Sequence, residues 1–257
     1  KEFLDQIIKK KDAVLHLGAL IGIPYSYKAR ESYIKSNIVG THNILESCLK
    51  CEINHLIHTS TSEVYGTPKK VPINENHKLQ PQSPYAASKI GADQLAISYY
   101  KSFNLPVTII RPFNNFGPRQ SNRAVIPTII NQALGKNFHE IKIGSVKPSR
   151  DFLYVLDTVN AYIKVLNKKI TFGKTYNIGT GIEISIKDLI YKILKILNKK
   201  NIKISNQKLR NRPKNSEVMR LLCDYSKIKK EIGWKPSIKS KKDFDKYLSK
   251  TIEWYRK

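Results

Sequence analysis

Short apolar runs alternate with longer stretches of helical period through the first half of the chain. Phe3, Leu4, Ile7 and Ile8 recur at helical spacing. Ala13-Val14-Leu15-His16-Leu17 reads as a buried strand that stops at Gly18. Residues 30–50 predict a helix with Ile34, Ile38, Ile44, Leu45 and Cys48 inside. His55-Leu56-Ile57-His58-Thr59 is the next strand, then a helix over 84–103 and a strand from Pro106 to Ile110. Strand, helix, strand, helix is the signature of a parallel sheet covered on both faces, an α/β doubly wound fold. After about residue 120 the pattern loosens. Helices are predicted near 124–135, 157–167 and 186–198, the last with Ser185 as N-cap, and strands near 140–143, 151–155 and 175–178. Residues 1–120 therefore read as the sheet domain. Residues 121–257 read mainly as a smaller mixed lobe, with some segments returning to the sheet.

In open parallel sheets ligands bind at the carboxyl ends of the strands. The segments there are His16-Leu17-Gly18-Ala19, Thr59-Ser60-Thr61-Ser62-Glu63 and Arg111-Pro112-Phe113-Asn114-Asn115. All are polar or glycine-bearing, and a cleft between sheet and lobe is a natural substrate site.

Composition narrows the partners. The 257 residues carry 46 Lys+Arg against 20 Asp+Glu, a net charge of +26. That balance favours anionic partners, but the lysines are scattered rather than gathered in one arginine-rich tract. Cys48 and Cys51 form a lone C-x-x-C without a second pair of metal spacing, so they read as structural and no metal is expected. No apolar run approaches the roughly 20 residues of a membrane helix. A cytoplasmic protein with no membrane role is expected.

The sharpest chemistry lies in Ser83-Pro84-Tyr85-Ala86-Ala87-Ser88-Lys89. Ser83 caps a helix, Pro84 suits its first turn, and Tyr85 and Lys89 share one face. A free tyrosine has a pKa near 10, too high for a base at neutral pH. An ammonium about 4 Å away contributes roughly 4 kcal/mol at an effective dielectric of 20, which is about 3 pKa units.

With these segments together, the chain resembles the extended short-chain dehydrogenase/reductase family of NAD-dependent sugar epimerases and dehydratases. The matching segments run in order along the whole chain. They include His16 to Ala19, Asn37-Ile38-Val39-Gly40-Thr41, Thr59 to Gly66, the Tyr85…Lys89 helix and Arg111 to Arg119. Later come Arg150-Asp151-Phe152, Tyr176-Asn177-Ile178-Gly179, Arg212-Pro213 and Gly233-Trp234-Lys235-Pro236. The resemblance implies a Rossmann-like sheet and NAD as cofactor. It gives Leu17, Gly18, Ala19, Asn37, Ser60, Tyr85, Lys89 and Pro112 to the cofactor. Asn114, Arg119, Arg123, Arg150 and Arg212 fall to a nucleotide-sugar substrate, arginine suiting its diphosphate through a planar fork of donors. Thr61 would hydrogen-bond the sugar 4-hydroxyl beside the base Tyr85, and Lys89 would also hold the nicotinamide ribose. Glu63 resembles the C5 base of the family's 4,6-dehydratases, lying on the same face as Thr61 if the segment stays extended. Ser62 stands where well-known dTDP-glucose dehydratases carry an acidic Asp, and serine is a poor general acid.

The resemblance therefore implies 4,6-dehydration of a nucleotide sugar. Ser83 to Gln94 and Arg123 to Thr128 look most like dehydratases of UDP- or GDP-N-acetylglucosamine in surface-sugar pathways. A 4-epimerase and a UDP-glucuronate decarboxylase of the same family are the alternatives, and an RNA-binding protein on a retired fold is a remote one. A homodimer through helices 30–50 and 84–103 is implied too. The family's G-x-x-G-x-x-G loop is missing, so the chain reads as starting at the helix before the fourth strand, on the order of 60 residues short.

Overall fold

The computed structural model describes residues 2–135 and 138–256. Its centre is a four-stranded parallel sheet of β1 (Ala13–His16), β2 (His55–Thr59), β3 (Val107–Pro112) and β7 (Thr175–Ile178), in the order β1-β2-β3-β7. Preceding β1 is α1 (Glu2–Ile8), and between β1 and β2 run α2 (Ile23–Ser26), α3 (Arg30–Tyr33), a π-helical segment (Ile34–Val39) and α4 (Gly40–Lys50). α5 (Pro84–Phe103) links β2 to β3. The lobe adds β4 (Asn114–Phe116), α6 (Val125–Leu134), β5 (Glu140–Ile143), β6 (Ser149–Tyr154) and α7 (Val155–Val165) before β7. After β7 follow β8 (Glu183–Ser185), α8 (Ile186–Ile196), β9 (Lys203–Asn206), β10 (Arg220–Leu221), α9 (Ser226–Ile232) and α10 (Lys241–Arg256).

Successive strand residues feed opposite faces of the sheet, as the two-residue period requires. Leu56 and Ile109 join Leu45, Cys48 and Ala96 under α4 and α5. Ile57 and Ile110 join Ala161, Val165, Tyr176 and Trp234 on the other face. A third cluster, built on Phe116, Ile129, Phe152, Ile190 and Phe244, is the lobe's own core. Each fully buried aliphatic side chain contributes roughly 1.5–3 kcal/mol over leaving it in water. Trp234, fully buried, donates its indole N–H to the Asp157 carbonyl at 3.1 Å, which ties the chain after α9 to α7.

Three sequence expectations need correction. β1 is a sheet edge, not a buried strand: Leu15 is 43 % exposed and Leu17 60 %. Phe3 and Ile7 of α1 are likewise exposed, and only Ile8 packs inward. Residues 30–50 are not one regular α-helix. The Gly40 N–H reaches the Lys35 carbonyl, five residues back, so the turn is wider than α. Its phase shift leaves Ile34 exposed and turns Tyr33, Asn37 and Thr41 inward, four apart. Among the described residues no helix is long and apolar enough to cross a membrane.

Candidate active site

The carboxyl ends of β1, β2 and β3 meet the start of α5. Ser83 accepts the Ala86 N–H at 3.1 Å, Pro84 opens the first turn, and the helix closes at Asn104 with φ 57°. Both expected capping features are therefore in place, and they set where Tyr85 enters the site. Tyr85, Lys89 and Asp93 then stand at i, i+4 and i+8, and all three are buried. Lys89 Nζ donates to the Thr59 carbonyl at 2.6 Å, and one turn further Asp93 Oδ2 accepts from Ser60 Oγ at 2.8 Å. These two bonds fasten α5 to the last residues of β2, immediately before Thr61.

Asp93 is the hub of a buried polar network. Arg111 reaches its Oδ2 through Nε at 3.2 Å and Nη2 at 2.9 Å, and His58 Nε2 faces Oδ1 at 3.3 Å. Arg111 Nη1 also donates to the Tyr65 hydroxyl at 3.0 Å, which itself donates to Asn177 Oδ1 at 2.7 Å. Burial opposes ionisation of Asp93, but His58, Arg111 and Ser60 outweigh it and hold the carboxyl below its ordinary range. Burial drives the Lys89 ammonium down, and the Asp93 charge pulls it back up.

Tyr85 does not match its expected resting state. Burial pushes its phenol well above the ordinary tyrosine value. A hydrogen bond from the Thr61 side chain lowers it, and the Glu63 charge raises it further. In the resting protein the phenol is therefore protonated, with desolvation the largest cause. The Tyr33 ring meets Tyr85 edge-on at 6.2 Å.

Nor does the strand end stay extended. Thr61 caps a 3₁₀ turn over Ser62–Tyr65 and accepts the Glu63 N–H at 3.3 Å. Ser62 and Glu63 are nonetheless buried, and the Glu63 charge acts on Tyr85. The turn ends at Gly66, where φ is +57° and an added Cβ would lie 2.1 Å from the Gln80 carbonyl oxygen, so only glycine fits. Arg212 Nη1 lies 3.4 Å from both Glu63 oxygens. Arg150 Nη2 lies 3.5 Å from Glu217 Oε1, and Arg212 Nε 3.9 Å from that same oxygen. Two expected diphosphate ligands thus stand together at the expected C5 base, alongside a carboxylate, Glu217, that the sequence did not reveal.

The other expected residues divide. Asn37 holds the Leu20 backbone from both sides, accepting its N–H at 2.8 Å and donating to its carbonyl at 3.0 Å, and also donates to Ser88 Oγ at 2.9 Å. It fixes the loop beyond Ala19 rather than offering free donors. Leu17 and Gly18 are exposed on the crevice lip, and a Cβ on Gly18 would meet only the His16 ring, at 3.7 Å. Pro112 is half-buried, and Asn114 keeps a buried Oδ1 without a partner, a vacancy suited to a ligand donor. Arg119 and Arg123 are exposed at the surface, and the Arg123 charge reaches the Tyr33 phenol. Asp151, beside Arg150, serves structure: it accepts the backbone N–H groups of Thr180, Gly181 and Cys223, which fixes the Asn177-Ile178-Gly179 segment.

Comparison with known proteins shows the family. A family model described as GDP-mannose 4,6 dehydratase matches residues 1–246. The chain belongs to that family. The family consists of extended short-chain dehydrogenase/reductase enzymes that use NAD. A dTDP-D-glucose 4,6-dehydratase of Dictyostelium discoideum is 34% identical, with 99% of this chain and 67% of that protein covered. A dTDP-glucose 4,6-dehydratase of Streptomyces venezuelae, solved with NAD, superposes with a TM-score of 0.90 at 28% identity, covering 99% of this chain and 76% of that one. The UDP-glucuronic acid 4-epimerase of Bacillus cereus, with UDP-glucuronic acid and NAD, gives 0.88 at 29%, covering 98% and 78%. These dehydratases carry dTDP-glucose in their names, so the expected N-acetylglucosamine nucleotide is not borne out. The residues present suit the nicotinamide and ribose half of NAD: an open Gly18 and the buried Tyr85–Lys89 pair.

Proposed function

We propose that this protein catalyses the NAD-dependent 4,6-dehydration of a nucleotide-activated hexose, with dTDP-glucose as its reference substrate. The observation that carries the reading is the joint placement of Glu63, Arg212 and Arg150 beside Tyr85, Lys89 and Thr61. A simple epimerase needs the tyrosine but has no use for a carboxylate beside C5.

NAD, when bound, accepts the C4 hydride and later returns it, and its positive ring lowers the energy of a nearby phenolate. Thr61 and Tyr85 hold the sugar 4-hydroxyl, and the Tyr85 oxygen takes its proton as C4 becomes a ketone. Lys89, fixed on the Thr59 carbonyl, keeps its positive charge near that phenolate and would hold the nicotinamide ribose. The ketone acidifies C5–H. Glu63 removes that proton, hydroxide leaves C6 with a proton to form water, and C5 regains a proton as hydride reaches C6. Ser62 is a poor general acid, so a water relaying a proton from a stronger acid, or another group, protonates the leaving hydroxyl. Arg150, Arg212 and Asn114 hold the diphosphate, with Arg119 and Arg123 at the outer rim. Ser60 and Asn37 act on the cofactor through the segments they fix, and Leu17, Gly18, Ala19 and Pro112 line its groove.

The full-length protein incubated with NAD and dTDP-glucose is expected to give a 4-keto-6-deoxy product lighter by one water. UDP-glucose, UDP- and GDP-N-acetylglucosamine and UDP-glucuronate complete the substrate panel. An isobaric product inverted at C4 would mark an epimerase instead, and loss of carbon dioxide a decarboxylase, the enzymes whose Thr-Ser-Glu triplet Thr61-Ser62-Glu63 resembles. Glu63→Gln is expected to stop water loss while C4 oxidation survives; full dehydration by that variant would remove Glu63 from its role. The same reading places the protein in the cytoplasm as a homodimer through residues 30–50 and α5, which light scattering at several concentrations tests.

A further inference from the structure

Arg150 and Arg212 are the cations that the proposed reading assigns to the substrate's diphosphate, yet the structure already supplies each with a carboxylate. Every hydrogen bond to the Glu63 carboxylate among the described residues comes from Arg212: Nη1 to both oxygens and Nη2 to Oε1, each at 3.4 Å. Glu217 Oε1 bridges the two arginines, 3.5 Å from Arg150 Nη2 and 3.9 Å from Arg212 Nε. The four side chains are only 6–20 % exposed. Two positive and two negative charges therefore form a neutral, partly desolvated array. Without the carboxylates, two adjacent guanidinium groups would repel across a poorly hydrated gap.

The backbone beneath this array is pinned. Ser216 Oγ donates to the Gln82 carbonyl in the loop before α5, and the Tyr27 hydroxyl meets Ser216 Oγ at 2.6 Å. Glu217 and Arg212 are thus carried by a segment fixed to the rim of the catalytic helix. Rearrangement is left to the side chains, whose contacts of 3.4–3.9 Å are long for charge-assisted pairs.

We infer that Glu63 and Glu217 are built-in counter-anions which the substrate's diphosphate displaces from Arg150 and Arg212, so that seating the diphosphate unlatches Glu63 for its work at C5. Glu217 is the positioning residue of this device: it holds both arginines in place while the site is empty and gives them up to the ligand. A sugar without the diphosphate would leave Arg212 on Glu63 and the base engaged. The inference rests on the dehydratase reading for the role of Glu63, but the exchange of anions stands on the geometry alone.

Binding of dTDP and of UDP, followed by calorimetry without NAD or turnover, tests it. Glu63→Gln and Glu217→Gln each remove a competing anion and are expected to tighten binding roughly three- to tenfold. Glu217→Asp keeps the charge and should stay near wild type. In an Arg212→Gln background the gain from Glu217→Gln should shrink to a small remainder, because the competition is for that guanidinium. Thermal melts of each variant confirm that a folded protein is being measured. Unchanged or weaker binding by both Gln variants overturns the inference. So does a gain that persists in full without Arg212, since that is a diffuse field effect. A wild-type chain that binds neither nucleotide fails the nucleotide-sugar reading and the inference together; one that binds while its Gln variants gain nothing fails the inference alone.

Discussion

Tyr85 shows how one side chain's environment sets its chemistry. Buried against Tyr33 and close to the Glu63 charge, its phenol is held protonated until a positive group comes near. Lys89 is the positive group the chain itself carries, and burial weakens even that one. Lys89→Met is therefore expected to cost roughly 10²–10⁴-fold in C4 oxidation. Because the phenolate form is needed, activity rises with pH through the tyrosine pKa, and loss of the nearby cation moves that rising limb to higher pH. A pH profile of reduced-cofactor formation in single turnover checks both effects; an unmoved limb would mean that Lys89 only binds ribose. The Tyr85–Lys89 pair was legible because a helical period of four and an N-cap are local facts. The tyrosine's resting state was not, because desolvation depends on every residue packed around it.

At the scale of elements, α5 is a strut whose inward row is chemical rather than apolar. Tyr85, Lys89 and Asp93 replace hydrophobic residues at three successive turns, and Asp93 settles the helix on β2 and β3 through Ser60 and Arg111. Asp93→Asn leaves Arg111 buried with no counter-ion, which is expected to destabilise the fold by about 3–5 kcal/mol in denaturant titrations. Adding Arg111→Met should restore much of that loss, because the pair goes together. If Asp93→Asn unfolds at the wild-type midpoint, the network is not holding the helix. Helix α5 matched its sequence limits because its cap and length are strong signals. Strands β4, β8, β9 and β10 went unseen, since runs of two to four residues carry no readable period. The π-helical turn was hidden as well, because its widening serves the inward placement of Asn37 and Thr41 rather than any propensity of its own.

For the molecule as a whole, the buried His55 and His58 and the half-buried His16 make stability sensitive to acid. Burial lowers His16 to about 3 and His55 to about 4, and it lowers His58 too. His55 shows why. Its Nδ1 accepts the Asn167 N–H at 3.0 Å, so its proton sits on Nε2 and is shared with Thr108 at 2.9 Å. A second proton would face a donor. A group depressed in the folded state gives stability that is present above its unfolded pKa near 6.5 and lost as pH falls below it. The denaturation midpoint is therefore expected to fall between pH 6.5 and pH 4, and less steeply in His55→Gln. An equal slope in that variant would assign the acid lability elsewhere. The net charge of +26 adds self-repulsion throughout this range.

The sequence by itself determined the alternation of strands and helices, the α5 cap and the Tyr85–Lys89 spacing, all of which are properties of neighbours along the chain. It also carried the ordered motifs that mark the family. Only the tertiary structure decided that Asp93 and Arg111 form a buried ion pair and that Glu217 joins Glu63 on two arginines. Arg212 and Glu63 are 149 residues apart in the chain and in contact in the fold. Contacts of that kind are chosen by packing and desolvation over the whole molecule, which no local pattern of residues records.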